Sequence, residues 1–172
     1  MPGLFGAVNL LLGVGNELHG DDGIGPWIAR RFRAPGWRTM DCFTVPENYT
    51  SMVKRLQPTD IVIVDAADMG LAPGEMRVIP PGHLGTVAFS THMLPLSLLV
   101  EYLEEATDAT VTVIGIQPRQ FREEMSPEVI RAGRRLMEML SAGQWATLPP
   151  LRPSDAPRSS TSESKKISGI LT

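Results

Sequence analysis

One cysteine, Cys42, stands in 172 residues, which excludes an intrachain disulfide and any multi-thiolate zinc site and fits a reducing cytosol. Positive charge is not in excess either: 16 Lys and Arg against 19 Asp and Glu leave a net charge of −3. No basic stripe is available to neutralise phosphates, so nucleic acid is not expected as a partner. Long apolar runs are missing too. Ala7 to Val14 is too short to span a bilayer and follows no basic segment, so neither a membrane span nor a secretory signal is expected, and the chain reads as cytoplasmic. No serine or cysteine stands in a nucleophile setting, and Cys42 lies in an apolar strand where a core role fits better than a catalytic one. No internal repeat occurs.

What the chain does contain is organised around LLGVGNELHGDDGIG, from Leu11 to Gly25. Leu10 to Val14 read as the end of a buried strand. Gly13 and Gly15 let the chain turn sharply and bring main chain near a ligand. Asp21 and Asp22 then precede a helix over Gly23 to Arg33, with Ile24, Trp27, Ile28 and Phe32 on one face and Pro26 in its first turn. A dinucleotide fingerprint starting at Gly13 needs glycine at position 18, where Leu18 stands. One carboxylate can cap the helix while the other reaches into a cleft at the carboxyl end of the strand, where open α/β sheets place their ligands.

The rest continues a βαβα rhythm. Thr39 to Val45 reads as a second strand, and a short helix from Pro46-Glu47-Asn48 carries Tyr49, Met52 and Val53 toward the core. The run Ile61-Val62-Ile63-Val64 has the character of a central strand covered on both faces, closed by Asp65 at its carboxyl end. Either a cap or a site residue fits Asp65, and the ligand-edge rule favours the site. Glu75 to Ile79 reads as an antiparallel strand. Ser90 or Thr91 is the natural cap of a helix burying Leu98, Leu99, Tyr102 and Leu103. His92 falls near that helix's first turn, where the dipole favours the neutral imidazole that can bind a metal; packing on a loop is the alternative. Ala109 to Ile116 is the last strand, with Gln117-Pro118-Arg119 at the ligand edge, and Ser126-Pro127-Glu128 starts a long final helix. One domain over 1–148 is expected. Residues 149–172, rich in Pro, Ser, Arg and Lys without hydrophobic periodicity, read as a disordered tail.

Taken together, GVGNELHGDDGIG, IVIVDAADMG and FSTHMLPLSLL resemble the hydrogenase maturation proteases over about the first 140 residues, and most closely the branch serving formate-hydrogenlyase-type hydrogenases. The resemblance implies an α/β fold: a three-layer αβα single domain with a twisted, mostly parallel sheet of about five strands. It implies an endopeptidase that trims the C-terminal extension of the nickel-iron hydrogenase large-subunit precursor, reading the nickel that the precursor already carries. It also implies a metal-binding set matching Asp22, Asp65 and His92, with Asp21 better suited to the cap. Placement at strand ends and ligand chemistry single out the same three residues. Asp41-Cys42-Phe43-Thr44 is similar to a family box in which glycine usually stands at the position of Phe43.

Two carboxylates and one imidazole suit nickel and leave coordination positions open, either to polarise a carbonyl or to acidify a water. These residues are expected to line an open cleft, in a monomer. A hydrolase holding its own zinc, and a non-enzymatic chaperone for nickel or the precursor, are the rival readings.

Overall fold

The computed structural model describes residues 6–89 and 95–155. In chain order its elements are β1 (Asn9–Gly13), α1 (Ile24–Arg31), β2 (Trp37–Asp41), α2 (Thr50–Leu56), β3 (Asp60–Asp68), β4 (Met76–Val78), β5 (Ala88–Phe89), α3 (Leu96–Ala106), β6 (Thr110–Ile116) and α4 (Pro127–Ser141). The strands lie in the order β2-β1-β3-β6-β4, with β5 paired to β3 off this path. Pairing is parallel between β1 and β2, β1 and β3, and β3 and β6; it is antiparallel for β4 on β6 and β5 on β3. The mostly parallel α/β sheet expected from the sequence is therefore present, with a sixth, two-residue strand added.

Strand side chains alternate between faces, and each face has its own cover. Leu10, Leu12, Ile61 and Ile63 pack with Val53 of α2 and with Leu99 and Leu103 of α3. Leu11, Val62, Val64 and Ile114 pack with Ile24 and Ile28 of α1 and with Val129, Leu136 and Leu140 of α4. This is why Ile61 to Val64 is apolar without interruption: both of its faces are interior. Each fully buried Leu, Ile or Val contributes about 1.5–3 kcal/mol of transfer free energy. The start of α1 lies directly on the strand ends, and glycine is what allows it. A Cβ on Gly25 would come within 2.3 Å of Val14 O and 2.5 Å of Val64 O.

Several local expectations are corrected. β2 covers Trp37–Asp41 rather than residues 39–45, because the chain turns at Phe43, whose φ is 50° and whose N–H bonds to Asp41 Oδ1 at 3.0 Å. β3 continues through Asp65 to Asp68, so Asp65 lies inside the strand instead of closing it. β4 has the expected antiparallel sense, with β6 as its partner. Met52, Leu98 and Tyr102 are exposed, while Val53, Leu99 and Leu103 are the buried members of their helices. α3 starts at Leu96 with Pro95 in the cap position; the proposed caps Ser90 and Thr91 lie outside the described residues.

The expected boundary at 148 is also too early. Val78 N donates to Pro149 O at 3.0 Å, Leu151 N donates to Val78 O at 2.8 Å, and the Leu151 side chain is buried in the core. A short stretch thus pairs with the outer edge of β4, and a 3-10 turn follows at Pro153–Asp155. The remainder of the proposed tail, 156–172, lies outside the described residues. No helix among the described residues is long and apolar enough to cross a membrane.

Candidate active site

One candidate aspartate, Asp22, stands in a turn after β1, and the other, Asp65, lies inside β3 just past the point where its pairing with β1 ends. After β1 the chain passes Val14 and Gly15 and reaches a 3-10 turn at Gly20–Gly23, which leads directly into α1. Asp22, in that turn, is 1% exposed, and its Oδ2 accepts the Asn16 backbone N–H at 3.1 Å. Asp65 is 0% exposed. It pairs with Gly115 of β6 and follows Val64, the last β3 residue that pairs with β1. The Gly20–Gly23 turn packs against β3, and Gly25 approaches Val64 O, so the segments bearing Asp22 and Asp65 meet at one sheet edge. Both carboxylates are more enclosed than the open cleft expected for them. Carboxylate oxygens are ligands that a hard or borderline cation accepts.

His92 lies outside the described residues. The chain on its N-terminal side is described: Phe89 pairs with Ala67, two residues beyond Asp65. Among the described residues, no three His, Cys, Asp or Glu side chains form a group able to hold a metal.

Asp21 does not cap α1. The cap position of that helix is Gly23, without a side-chain bond. Asp21 is 0% exposed and faces the loop after β6. Its Oδ2 accepts Arg119 N at 2.7 Å, Gln120 N at 3.1 Å and the Ser126 hydroxyl at 2.9 Å, and its Oδ1 accepts Ser126 N at 2.6 Å. Ser126 does stand at the cap position of α4, with Pro127 next, but its hydroxyl turns to Asp21 rather than to its own helix. These contacts bridge about a hundred residues of sequence and carry no local signal.

The box after β2 contributes packing and shape. Cys42 is buried, donates weakly to Met40 O at 3.7 Å, and has its thiol pushed up from 9.0 to about 12 by burial and then by the Asp41 charge. A thiol held neutral is a poor nucleophile. Asp41 faces Arg30, with Nε at 3.6 Å, and Arg30 also pairs with Glu17. Phe43 holds the left-handed backbone that glycine adopts most easily, its carbonyl accepts Gly15 N at 2.8 Å, and its ring is 57% exposed.

Gln117, noted from sequence only for its place at the strand end, proves to have a specific role. Its Oε1 accepts Met69 N at 2.7 Å and Leu71 N at 3.2 Å, and its Nε2 donates to Asp68 Oδ1 at 3.2 Å. It thereby fixes the chain just beyond Asp65.

Comparison with known proteins agrees with this architecture. Residues 26–142, more than half of the chain, match the HycI hydrogenase maturation protease family. Hydrogenase 3 maturation protease of Escherichia coli strain K12 is 41% identical over 114 residues, covering 64% of this chain and 72% of that protein. The solution structure of the endopeptidase HycI from Escherichia coli aligns with a TM-score of 0.75 at 34% identity, covering 84% of this chain and 97% of that one. For the NiFe hydrogenase maturation protease HycI from Thermococcus kodakarensis KOD1 the TM-score is 0.72 at 30% identity, with coverages of 80% and 92%.

Proposed function

This chain belongs to the hydrogenase maturation proteases, and on that premise we propose that it removes the C-terminal extension of a nickel-iron hydrogenase large-subunit precursor once nickel has been inserted. In this reading Asp22, Asp65 and His92 meet the nickel carried by the precursor, so the metal enters as part of the substrate. The observation that carries the reading is the pair of buried carboxylates, Asp22 and Asp65, on adjoining segments at the carboxyl edge of the sheet. His92 follows Phe89 by three residues, a span of at most about 11 Å, and Phe89 pairs with Ala67, two residues past Asp65.

Carboxylate oxygen and neutral imidazole nitrogen are ligands that nickel accepts. Three of them leave positions open for the groups that hold nickel in the precursor, so the protease alone binds metal weakly and the complex binds it well. Recognition of a correctly loaded precursor and activation of the peptide bond then become one event. Nickel supplies the Lewis acid for amide hydrolysis. Thiolate chemistry is disfavoured because the buried Cys42 thiol stays protonated.

Intact mass of the precursor after incubation with the purified enzyme tests this reading. Nearly metal-free enzyme should shorten the nickel-loaded precursor and spare the nickel-free form. A zinc-containing enzyme that cuts the nickel-free precursor and is stopped by a chelator would instead identify a self-contained metallopeptidase. Binding without any shortening would identify a chaperone.

A further inference from the structure

The two adjacent aspartates have different capacities for a ligand. A carboxylate offers about four lone-pair sites. Asp21 has four donors on it: the backbone N–H groups of Arg119, Gln120 and Ser126 and the Ser126 hydroxyl. Three of these donors fall on Oδ2 and one on Oδ1, so the carboxylate is committed mainly to the loop after β6. The contact is also reciprocal, because Asp21 N donates to Gln120 O at 3.1 Å. Next to it, Gly20 has φ 53°, and a Cβ there would meet Arg122 O at 2.8 Å. The Gly20–Gly23 turn is therefore pressed against residues 120–122 by its backbone and tied to residues 119–126 by the Asp21 side chain.

We propose that Asp21 is a positioning residue for processing: it locks this turn onto the loop after β6 and so fixes where the carboxylate of Asp22 stands. The proposal rests on the reading of Asp22 as a nickel-facing residue. Asp22 follows Asp21 directly and is held on its other side by Asn16 N–H, so a turn released from the loop carries Asp22 with it. Misplacing a reacting group by about 1 Å costs on the order of a hundredfold in rate. Asp21→Asn keeps the shape, but it turns an NH2 group toward backbone N–H donors and forces the turn off the loop.

The test uses the full chain and the nickel-loaded precursor at a temperature well below unfolding, with the Asn16 amide resonance as a reporter of Asp22 that does not depend on activity. Asp21→Asn should lower kcat by about 10- to 100-fold with KM held within about threefold, and should shift the Asn16 amide. Ser126→Ala, a milder change that keeps the three N–H bonds, should move both readouts in the same direction by a smaller amount, and it serves if Asp21→Asn does not fold. A folded Asp21→Asn enzyme with a lower Tm, normal kcat and an unmoved Asn16 amide would make Asp21 purely structural and overturn the proposal. It is overturned equally if Asp21→Asn does not fold and Ser126→Ala leaves kcat and the Asn16 amide unchanged. Asp22→Ala is the control for the underlying reading. Processing at the normal rate by that variant would remove Asp22 from the site, whereas the Asn16 amide would still report whether Asp21 positions it.

Discussion

The two ends of the parallel sheet are built from similar residue types and treat them differently. At the amino end, Asn9, Asp60 and Thr110 stand side by side in register across β1, β3 and β6, half-buried or exposed. Asn9 takes a bond from the Thr59 hydroxyl at 3.1 Å, and Thr110 N donates to Thr59 O at 3.0 Å. At the carboxyl end, Asp21, Asp22, Asp65, Gln117 and Ser126 are all buried. Thr107 is the other buried polar side chain among the described residues, and it bonds Leu103 O at the end of α3. Burying polar and charged groups is costly unless each is satisfied, and at this edge Asp21 and Ser126 bond each other, Asp21 and Gln117 accept backbone N–H groups, and Gln117 donates to Asp68. Two carboxylates of one strand thus differ in surroundings: Asp60, its first residue, is half-buried, and Asp65, inside it, is fully buried.

The strongest way to break this comparison is to remove the carboxyl-edge groups. Asp22→Ala and His92→Ala should each lower processing of nickel-loaded precursor by about a thousandfold or more while the protein stays folded, as read by intact mass and circular dichroism. A His92→Ala enzyme that cuts at the normal rate would take the histidine out of the site.

A second prediction sharpens the contrast between charged and neutral groups at that edge. Cys42 is buried beside Asp41, and its thiol titrates near 12 instead of 9.0. The folded chain therefore keeps a proton that the unfolded chain loses. This contribution is fully present below about pH 9 and is lost as pH rises toward about 12, by roughly 4 kcal/mol in total. Urea midpoints of the natural protein should fall over that window, and those of Cys42→Ala should fall less. Equal slopes would refute the assignment.

A third prediction moves to the far side of the sheet. Ending the chain at residue 148 removes Leu151 and its pairing with Val78, which should cost about 2–3 kcal/mol by denaturant unfolding, while the processing rate at 25 °C stays normal. Ending it at residue 155 should cost neither.

Much of this was legible in the chain. The apolar run Leu10 to Val14 marked the end of a buried strand and Ile61 to Val64 a strand covered on both faces, and both were found in the sheet, with Asp22 and Asp65 buried nearby. The illegible parts depend on distant partners or on fine rotation. The role of Asp21 depends on Arg119, Gln120 and Ser126, far along the chain, so a plausible local cap concealed it. Tyr102 and Leu103 are adjacent on a helix, and periodicity alone did not separate the exposed residue from the buried one. One leucine, Leu151, in a proline-rich stretch has no periodicity at all, yet backbone pairing with Val78 is enough to order it. The enclosure of Asp22 and Asp65 was likewise invisible, and the packing of the Gly20–Gly23 turn on β3 is a contact between segments distant in sequence.

The most direct measurement compares two positions of one strand. Asp60→Asn and Asp65→Asn make the same change of charge and nearly none of shape, at positions five residues apart in β3. Each variant is incubated with nickel-loaded precursor and the shortened product is followed by intact mass. The account predicts that Asp60→Asn processes at the normal rate, with stability within about 0.5 kcal/mol of the natural protein, while Asp65→Asn leaves the precursor uncut. Equal processing by the two variants would contradict it.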